Sequence, residues 1–179
     1  MESAEIETIK LAALDKAVGE TWEEGLIPFF FDETGNASVF FNYKGKLIEC
    51  AKGAVQAAMD PETVPAIVDG WRKIFVAAMK IGTTCVLNLD KTAPDFVNKF
   101  NSEMFPVPTI FLKEEITKSE VYLKMVKEDE NVDSFGNKGL FVQQDNFKLA
   151  VLSARGADSI EDFKDKIPLE CCKLFKITA

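Results

Sequence analysis

The sequence predicts an α/β protein, a three-layer sandwich in which a mainly parallel sheet lies between helices on both faces. Short runs such as residues 27–31 and 85–89 are apolar at nearly every position, as strands buried on both faces are. Segments with helical periodicity separate these runs, which favours strand–helix–strand units. The first run ends abruptly in a polar turn, residues 32–36, that carries Gly and Asn.

Composition and charge narrow the class of protein. Of the 179 residues, 47% are hydrophobic and 15 are Phe, which is enough for a packed core. The net charge of −8 opposes binding to nucleic acid or to anionic membranes, so neither is an expected partner. No apolar run approaches the ~18–20 residues of a membrane-spanning helix. The acidic N-terminus, MESAEIETIK, does not resemble a signal peptide, and we expect a cytoplasmic location.

Cysteine and histidine usage limits the possible chemistry. The chain has four Cys, none in a C-x-x-C pair, and no His. This pattern favours buried free thiols in a reducing compartment over a metal site. The absence of His removes every Ser-His and Cys-His nucleophile, so any chemistry would need carboxylates, Lys, a metal or a bound phosphate. A thiol-redox role would rest only on Cys171 and Cys172, whose vicinal disulfide would be strained.

The N-terminal half is predicted as follows. Residues 3–18 have the periodicity of an amphipathic helix, with Ser3 as its cap and Gly19 as its end. Residues 1–21 are therefore expected to form a helical arm, and residues 22–179 the α/β domain, with Trp22 as a packing residue. The predicted strands are 27–31 and 47–50, and the predicted helices are 37–43, 53–59 and 65–81, the last ending at Gly82.

The C-terminal half continues the alternation less regularly. Residues 113–139 are charged and are predicted to be a solvated insertion, partly helical near 117–127. The other predicted elements are strands at 85–89, 106–112, 140–142, 147–153 and 172–178, a short helix at 94–102 and a helical turn at 159–164.

The turn after the first strand lies where a phosphate-binding loop would lie, but it lacks that loop's chemistry. The pattern G-x-x-x-x-G-K-[ST] uses two Gly, a Lys for the phosphates and a hydroxyl for Mg²⁺. Here the two Gly positions are Asp32 and Ala37, the Lys position is Ser38 and the hydroxyl position is Val39. The internal Gly35 remains. We expect no phosphate binding, because a carboxylate replaces the first Gly and the cation is missing.

The third predicted strand has the shape of a magnesium-binding acidic strand end, since Asp90 closes it. It is followed by Lys91, where a hydrolytic ATPase would carry a catalytic Glu. The favoured interpretation of Asp90 is therefore structural. The alternative is a nucleotide-binding protein in which Lys44 or Lys46 replaces the missing Lys.

Four segments in order resemble the degenerate fifth AAA+ module of dynein heavy chains: residues 28–38, 82–88, 147–153 and 173–178. The departures are Glu33, where that module has Pro, and Asn88, where it has an acidic residue. The resemblance implies a P-loop, AAA+-like core that no longer binds nucleotide, with Ser153 at the sensor strand. We expect no helical lid subdomain after the last segment, and the lack of one would also argue against a motor or ring ATPase.

Together these observations predict a pseudoenzyme: a non-enzymatic structural or protein-interaction module with no cofactor and no metal. The resemblance implies protein partners of the microtubule cytoskeleton or of the axoneme in a cilium or flagellum. The alternative is an atypical nucleotide-binding protein, a small ATPase or kinase that uses ATP and Mg²⁺. The predicted N-terminal helix and the insertion at 113–139 are either contact elements or solvated decoration, and both interpretations stay open.

Overall fold

The computed structural model describes residues 5–179 and contains one six-stranded sheet in which every pair of neighbouring strands is parallel. The strand order is β1-β6-β2-β5-β4-β3. The strands are β1 (Ile6–Lys10), β2 (Ile27–Phe31), β3 (Gly45–Glu49), β4 (Thr84–Asp90), β5 (Lys148–Ser153) and β6 (Cys172–Thr178). The prediction of an α/β sandwich with a mainly parallel sheet is confirmed.

Helices cover both faces of this sheet. The longer ones are α1 (Leu14–Glu23), α2 (Asn36–Lys44), α3 (Cys50–Met59) and α4 (Val64–Ile81). Three single-turn helices follow β4, namely α5 (Val107–Ile110), α6 (Lys113–Ile116) and α7 (Ser119–Tyr122). The 3₁₀ turns are Leu11–Ala13, Pro61–Thr63, Leu123–Met125, Glu128–Glu130, Ala157–Phe163 and Leu169–Cys171.

Two hydrophobic clusters form the core, one on each face of the sheet. Helices α1 and α2 contribute to the cluster that contains Phe30 of β2. Helices α3 and α4 contribute to the larger cluster, which contains Phe29 and Phe31. Successive side chains of a strand point to opposite faces, so the unbroken Phe run of β2 supplies both cores. All five residues of β2 are buried.

Residues 6–10 correct the first prediction, because they form an edge strand and not part of a helix. β1 pairs in parallel with β6, with Ile6 opposite Leu174 and Ile9 opposite Ile177. Helix α1 begins only at Leu14 and continues through Gly19 to Glu23. The β-branched residues of β1 fit a strand, and pairing with β6 outweighs the weak helical periodicity. The predicted cap Ser3 lies outside the described residues.

Three further predictions in the C-terminal half were wrong. Residues 94–102 form one turn, held by Asp95, instead of a helix, although Phe96 and Phe100 are buried. The prediction of a strand at 106–112 failed because its prolines lie in the first turn of α5, where a missing N–H costs nothing. Residues 140–142 have no regular secondary structure and belong to none of the six strands.

The predicted insertion is partly helical, as expected, but its first half is packed on the core. Ile116, Tyr122 and Met125 are buried members of the larger cluster. A continuously exposed stretch begins only at Ser134. The segment is therefore fixed to the domain by apolar contacts, and only its second half resembles solvated decoration.

A buried cation also ties this segment to α4. Arg72 is 1% exposed; its Nη1 donates to the Met125 carbonyl (2.8 Å) and to Glu130 Oε1 (2.6 Å). Its Nε donates to Asp69 Oδ1 at 2.9 Å, and Lys127 Nζ lies 3.1 Å from the same oxygen. Partial burial acts to raise the pKa of Glu130, but the hydrogen bonds from Arg72 and from the Lys127 N–H, together with the charges of both residues, outweigh it and lower the pKa. The network fixes residues 125–130 against the long helix.

Replacing Arg72 with Met should lower the free energy of unfolding by about 3 kcal/mol, the low end for a broken buried pair, because Asp69 and Glu130 can still reach water. Urea denaturation would measure the change. The matched control is Lys73→Met, which removes an exposed cation 3.5 Å from Asp69 on the same helix and should cost less than about 1 kcal/mol. Equal losses in the two variants would contradict the role assigned to Arg72.

The same network predicts an acid-dependent loss of stability. The hydrogen bond from Arg72 lowers the pKa of Asp69 from 3.8 to about 2. Because the folded-state pKa is depressed, this contribution is complete above the ordinary pKa and disappears as the pH falls from about 4 to about 2. Asp69→Asn should flatten the stability profile in that window. The control Asp129→Asn, at an exposed position of the same segment, should not.

Candidate functional site at the carboxyl edge of the sheet

The carboxyl ends of β2, β4 and β5 surround a small crevice. In open parallel sheets ligands bind at this edge, next to strands whose connections run in opposite directions. Strand β2 is such a point, since it lies between β5 and β6 while its own connection leads to β3 at the far side. The crevice has a volume of about 130 Å³. It is lined by Asp32, Gly35, Ser38, Asn88, Asp90, Leu152, Ser153 and Ala154.

Most of the predicted site residues come together here. Asp32, Gly35, Ser38, Asp90 and Ser153 all line the crevice. The two others do not. Ala37 is fully buried beneath the loop, and Val39 lies on the solvent side of α2 with 55% of its surface exposed.

Asp32 organises the loop that follows β2. Its side chain is 2% exposed and accepts hydrogen bonds from three groups of its own loop. Oδ1 accepts from the Thr34 N–H (3.0 Å) and the Thr34 hydroxyl (2.6 Å), and Oδ2 accepts from the Ala37 N–H at 2.8 Å. The backbone N–H of Asp32 donates to the Ser153 carbonyl at 2.8 Å. The carboxylate thus occupies the N-terminus of α2 and joins it to β2.

Gly35 and Ser38 complete the turn. Gly35 has φ +79°, a left-handed conformation that Gly adopts without steric cost. Ser38 donates its hydroxyl back to the Gly35 carbonyl at 2.9 Å. The Ser38 hydroxyl and the Gly35 carbonyl are therefore hydrogen-bonded to each other within the loop.

The end of β4 is irregular. The pairing between β4 and β5 shifts between Asn88 and Asp90, and Asp90 has φ +49°, which is uncommon for a residue other than Gly. The Asp90 carbonyl accepts from the Ala154 N–H at 2.8 Å. Asn88 donates its side-chain amide to Glu49 Oε2 at 3.0 Å. Asp90 is thus positioned by backbone pairing, and its exposed carboxylate faces the crevice.

The charges around the crevice are negative. Among its lining residues the charged side chains are Asp32 and Asp90. Glu33 and Asp158 converge on the neighbouring loop, since a Cβ on Gly156 would lie 3.2 Å from Glu33 Oε1 and 2.6 Å from Asp158 Oδ1. Four carboxylates at one edge repel an anionic ligand.

Arg155 is the nearby cation that sequence reasoning missed. Its Nε donates to the Lys91 carbonyl (2.8 Å) and its Nη1 donates to Asp162 Oδ2 (2.6 Å). The guanidinium also lies 5.8 Å from the Phe163 ring. Its position two residues after the end of a strand indicated that it would lie near the site, but nothing in the sequence indicates its hydrogen-bond partners. These contacts hold the side chain outside the crevice lining.

The two lysines considered as replacements for the missing Lys lie at the opposite edge of the sheet. Lys44 ends α2, roughly 13 Å along the helix from its start, and its carbonyl accepts from the Thr83 hydroxyl just before β4. Lys46 pairs with Cys85, five residues before Asp90, or about 17 Å along the strand. Neither occupies the place of a phosphate-loop Lys.

The crevice is small. A volume of about 130 Å³ is below the ~300 Å³ at which ligand pockets begin. Within residues 5–179, no group of three or more Cys, Asp or Glu is placed to hold a metal ion. Burial raises the pKa of Cys171 and Cys172, which disfavours the thiolate that redox exchange requires.

Comparison with protein-family models, curated proteins and solved structures finds no match to this chain. In the part of the chain that the structure describes, none of the helices has the length and apolar character needed to cross a bilayer.

Replacing Asp32 with Ala should lower the free energy of unfolding by about 1–3 kcal/mol, because the buried Ala37 N–H and the Thr34 donors lose their acceptor. Urea denaturation would measure the loss. The matched control is Glu33→Ala, which removes the adjacent exposed carboxylate and should change stability by less than about 0.5 kcal/mol. A neutral Asp32→Ala variant would contradict the capping role.

Proposed function

We propose that this protein is a non-enzymatic structural or protein-interaction module, built on a P-loop, AAA+-like core that does not bind nucleotide. The proposal joins the α/β fold to the chemistry of one loop. It assigns the protein no cofactor and no catalytic residue.

One observation carries the proposal: the Asp32 carboxylate accepts the Ala37 N–H at 2.8 Å. In a working phosphate loop, free N–H groups at a helix N-terminus bind an anionic phosphate, with help from the helix dipole. Here the protein's own anion uses one of these donors. A phosphate would have to displace a buried, hydrogen-bonded carboxylate and would also meet the Asp90 charge, so binding is opposed on both counts.

The placement of the four resembling segments supports an AAA+-like core. Residues 28–38 span β2, the loop and the start of α2, and residues 82–88 lead into β4. Residues 147–153 and 173–178 lie in or beside β5 and β6. These four strands are consecutive in the order β6-β2-β5-β4, so the resemblance covers one continuous part of the sheet.

The cellular setting of the proposal follows from the resemblance alone. A degenerate module of the dynein type would have protein partners in the microtubule cytoskeleton or in the axoneme of a cilium or flagellum. Such a module would act in the cytoplasm through its surfaces.

A thermal-shift measurement with Mg-ATP and Mg-GTP tests the proposal. A ligand present at 100 times its dissociation constant would add about 2.7 kcal/mol to the free energy of unfolding. We expect no shift at millimolar nucleotide, because Asp32 already occupies the Ala37 N–H and the charged side chains that line the crevice are negative. An ATP-binding protein in parallel wells serves as the positive control, and sodium triphosphate as a control for non-specific anion effects. A saturable, nucleotide-dependent shift would refute the proposal.

A further inference from the structure

Strand β1 is one edge of the sheet and offers a row of unpaired backbone groups. It pairs with β6 alone, over five consecutive residue pairs and without a register shift. Within residues 5–179, no backbone hydrogen bond from a turn or loop reaches β1. A free row of N–H and C=O groups is complementary to an extended backbone, so an added strand is the occupant that this edge fits.

β1 lacks two of the devices that commonly close a sheet edge, since it contains neither Pro nor a bulge. Its side chains also stay accessible. Ile6 and Ile9 point to opposite faces and are both only half-buried, and the other three residues are exposed. The edge strand at the far side, β3, is more enclosed, because α2 precedes it and α3 follows it directly. β1 is therefore the edge that a partner reaches more easily.

The charges of β1 restrict how it can pair with a second copy of itself. Two copies related by a two-fold axis perpendicular to the sheet pair antiparallel, with one residue opposite its own copy at the axis. With Glu7 at the axis, two carboxylates would face each other, and with Ile6 there, Glu5 would lie opposite Glu7. With Thr8 at the axis, all five residues of β1 have a partner and no like charges lie opposite each other. Charges that commonly protect an edge thus leave the register of full overlap open.

This register also brings complementary groups together. Thr8 lies opposite Thr8 of the second copy, a cross-strand pair that stabilises sheets. Ile6 lies opposite Lys10 of the second copy, whose aliphatic stem can cover it. Along the strand, that Lys10 falls between the positions of Glu5 and Glu7. Since these carboxylates leave the opposite face, they attract the cation without a direct ion pair. The acidic half of each strand thus lies beside the basic end of the other.

We propose that two copies of this chain associate through β1, antiparallel and with Thr8 at the two-fold axis, so that their six-stranded sheets become one. The inference deepens the proposed interaction role and rests on it, by naming a second copy as the partner. It does not depend on the state of the crevice at Asp32. Because both copies use the same surface, the contact closes on itself and stops at a dimer. An overlap of five residues is small for an interface, so the dimer is weak.

Sedimentation velocity over a range of concentrations tests this association. Salt at about 0.15 M, where the Debye length is about 8 Å, limits the repulsion between two copies of net charge −8. The average mass of the wild-type protein should rise with concentration and level off at the dimer.

Thr8→Lys places two ammonium groups opposite each other at the axis and should weaken association at least about fivefold. The matched control is Thr117→Lys, which makes the same change of charge at an exposed Thr outside β1 and should associate like the wild type. A cooperative thermal unfolding transition would confirm that each variant is folded.

Mixing two variants tests the position of the axis. Fluorescently labelled Thr8→Lys should bind Thr8→Glu more tightly than it binds a second Thr8→Lys, because opposite charges then face each other at the axis. Hydrogen exchange of the wild-type protein needs no variant. Backbone exchange in residues 6–10 should slow as the protein concentration rises, whereas exchange in β3, the other edge strand, should not change.

The proposal is overturned if the wild type stays monomeric at sub-millimolar concentration, or if a dimer forms without protection of β1. It is also overturned if labelled Thr8→Lys binds both partners equally. A nucleotide-induced thermal shift would refute the nucleotide-free module and leave these results unaffected, so the two proposals can fail separately.

Discussion

Complete burial of β2 is the constraint on which the rest of the molecule depends. The strand has neighbours on both sides and a hydrophobic cluster against each face. Phe30 stacks on Phe175 with ring centroids 5.2 Å apart, and Phe29 meets Phe163 edge-on at the same separation. A strand fixed in this way determines where the chain must leave the sheet. Asp32 comes directly after β2, and its carboxylate accepts a hydrogen bond from the first turn of α2.

This constraint explains why the crevice has the strand, turn and helix order of a phosphate-binding site while its side chains differ. The strand, turn and helix follow from burial and from the left-handed Gly35, and neither feature depends on a ligand. Asp32 accepts the Ala37 N–H, and the Ser38 hydroxyl donates to the Gly35 carbonyl. Groups of the protein itself thus stabilise the turn. A nucleotide phosphate would bring a second negative charge to a place already occupied by the Asp32 carboxylate.

The sequence was most informative where apolar residues were contiguous or strongly periodic. Residues 27–31 were predicted as a strand with the bounds observed, and the stripe of α4 gave its length to within one residue. Prediction from sequence failed for Ile6 and Ile9, because a spacing of three residues is typical of one helix face, whereas in β1 the two side chains lie on opposite faces of the sheet. The pairing that makes them a strand is distant in sequence: Ile9 lies opposite Ile177. Prediction also failed for residues 106–112, where the prolines begin a helical turn.

The candidate site, too, could be predicted from the sequence only in part. Convergence of Asp32, Asp90 and Ser153 could be predicted, because the carboxyl ends of neighbouring parallel strands meet at one edge. The hydrogen bond from the Ala37 N–H to Asp32 could not, since it depends on a side-chain orientation that spacing does not specify. Arg72 was missed for a related reason. A cation within an apolar stripe is buried only when distant partners such as Glu130 neutralise it.

The place of β6 in the sheet has a consequence for biosynthesis. This strand is the last of the six along the chain, yet it lies between β1 and β2, the two that emerge first. Until the ribosome releases it, β1 has no backbone partner and one side of β2 is open. The nascent chain must therefore carry an unfinished, Phe-rich sheet edge until residues 172–178 have left the ribosome, the kind of surface that chaperones protect.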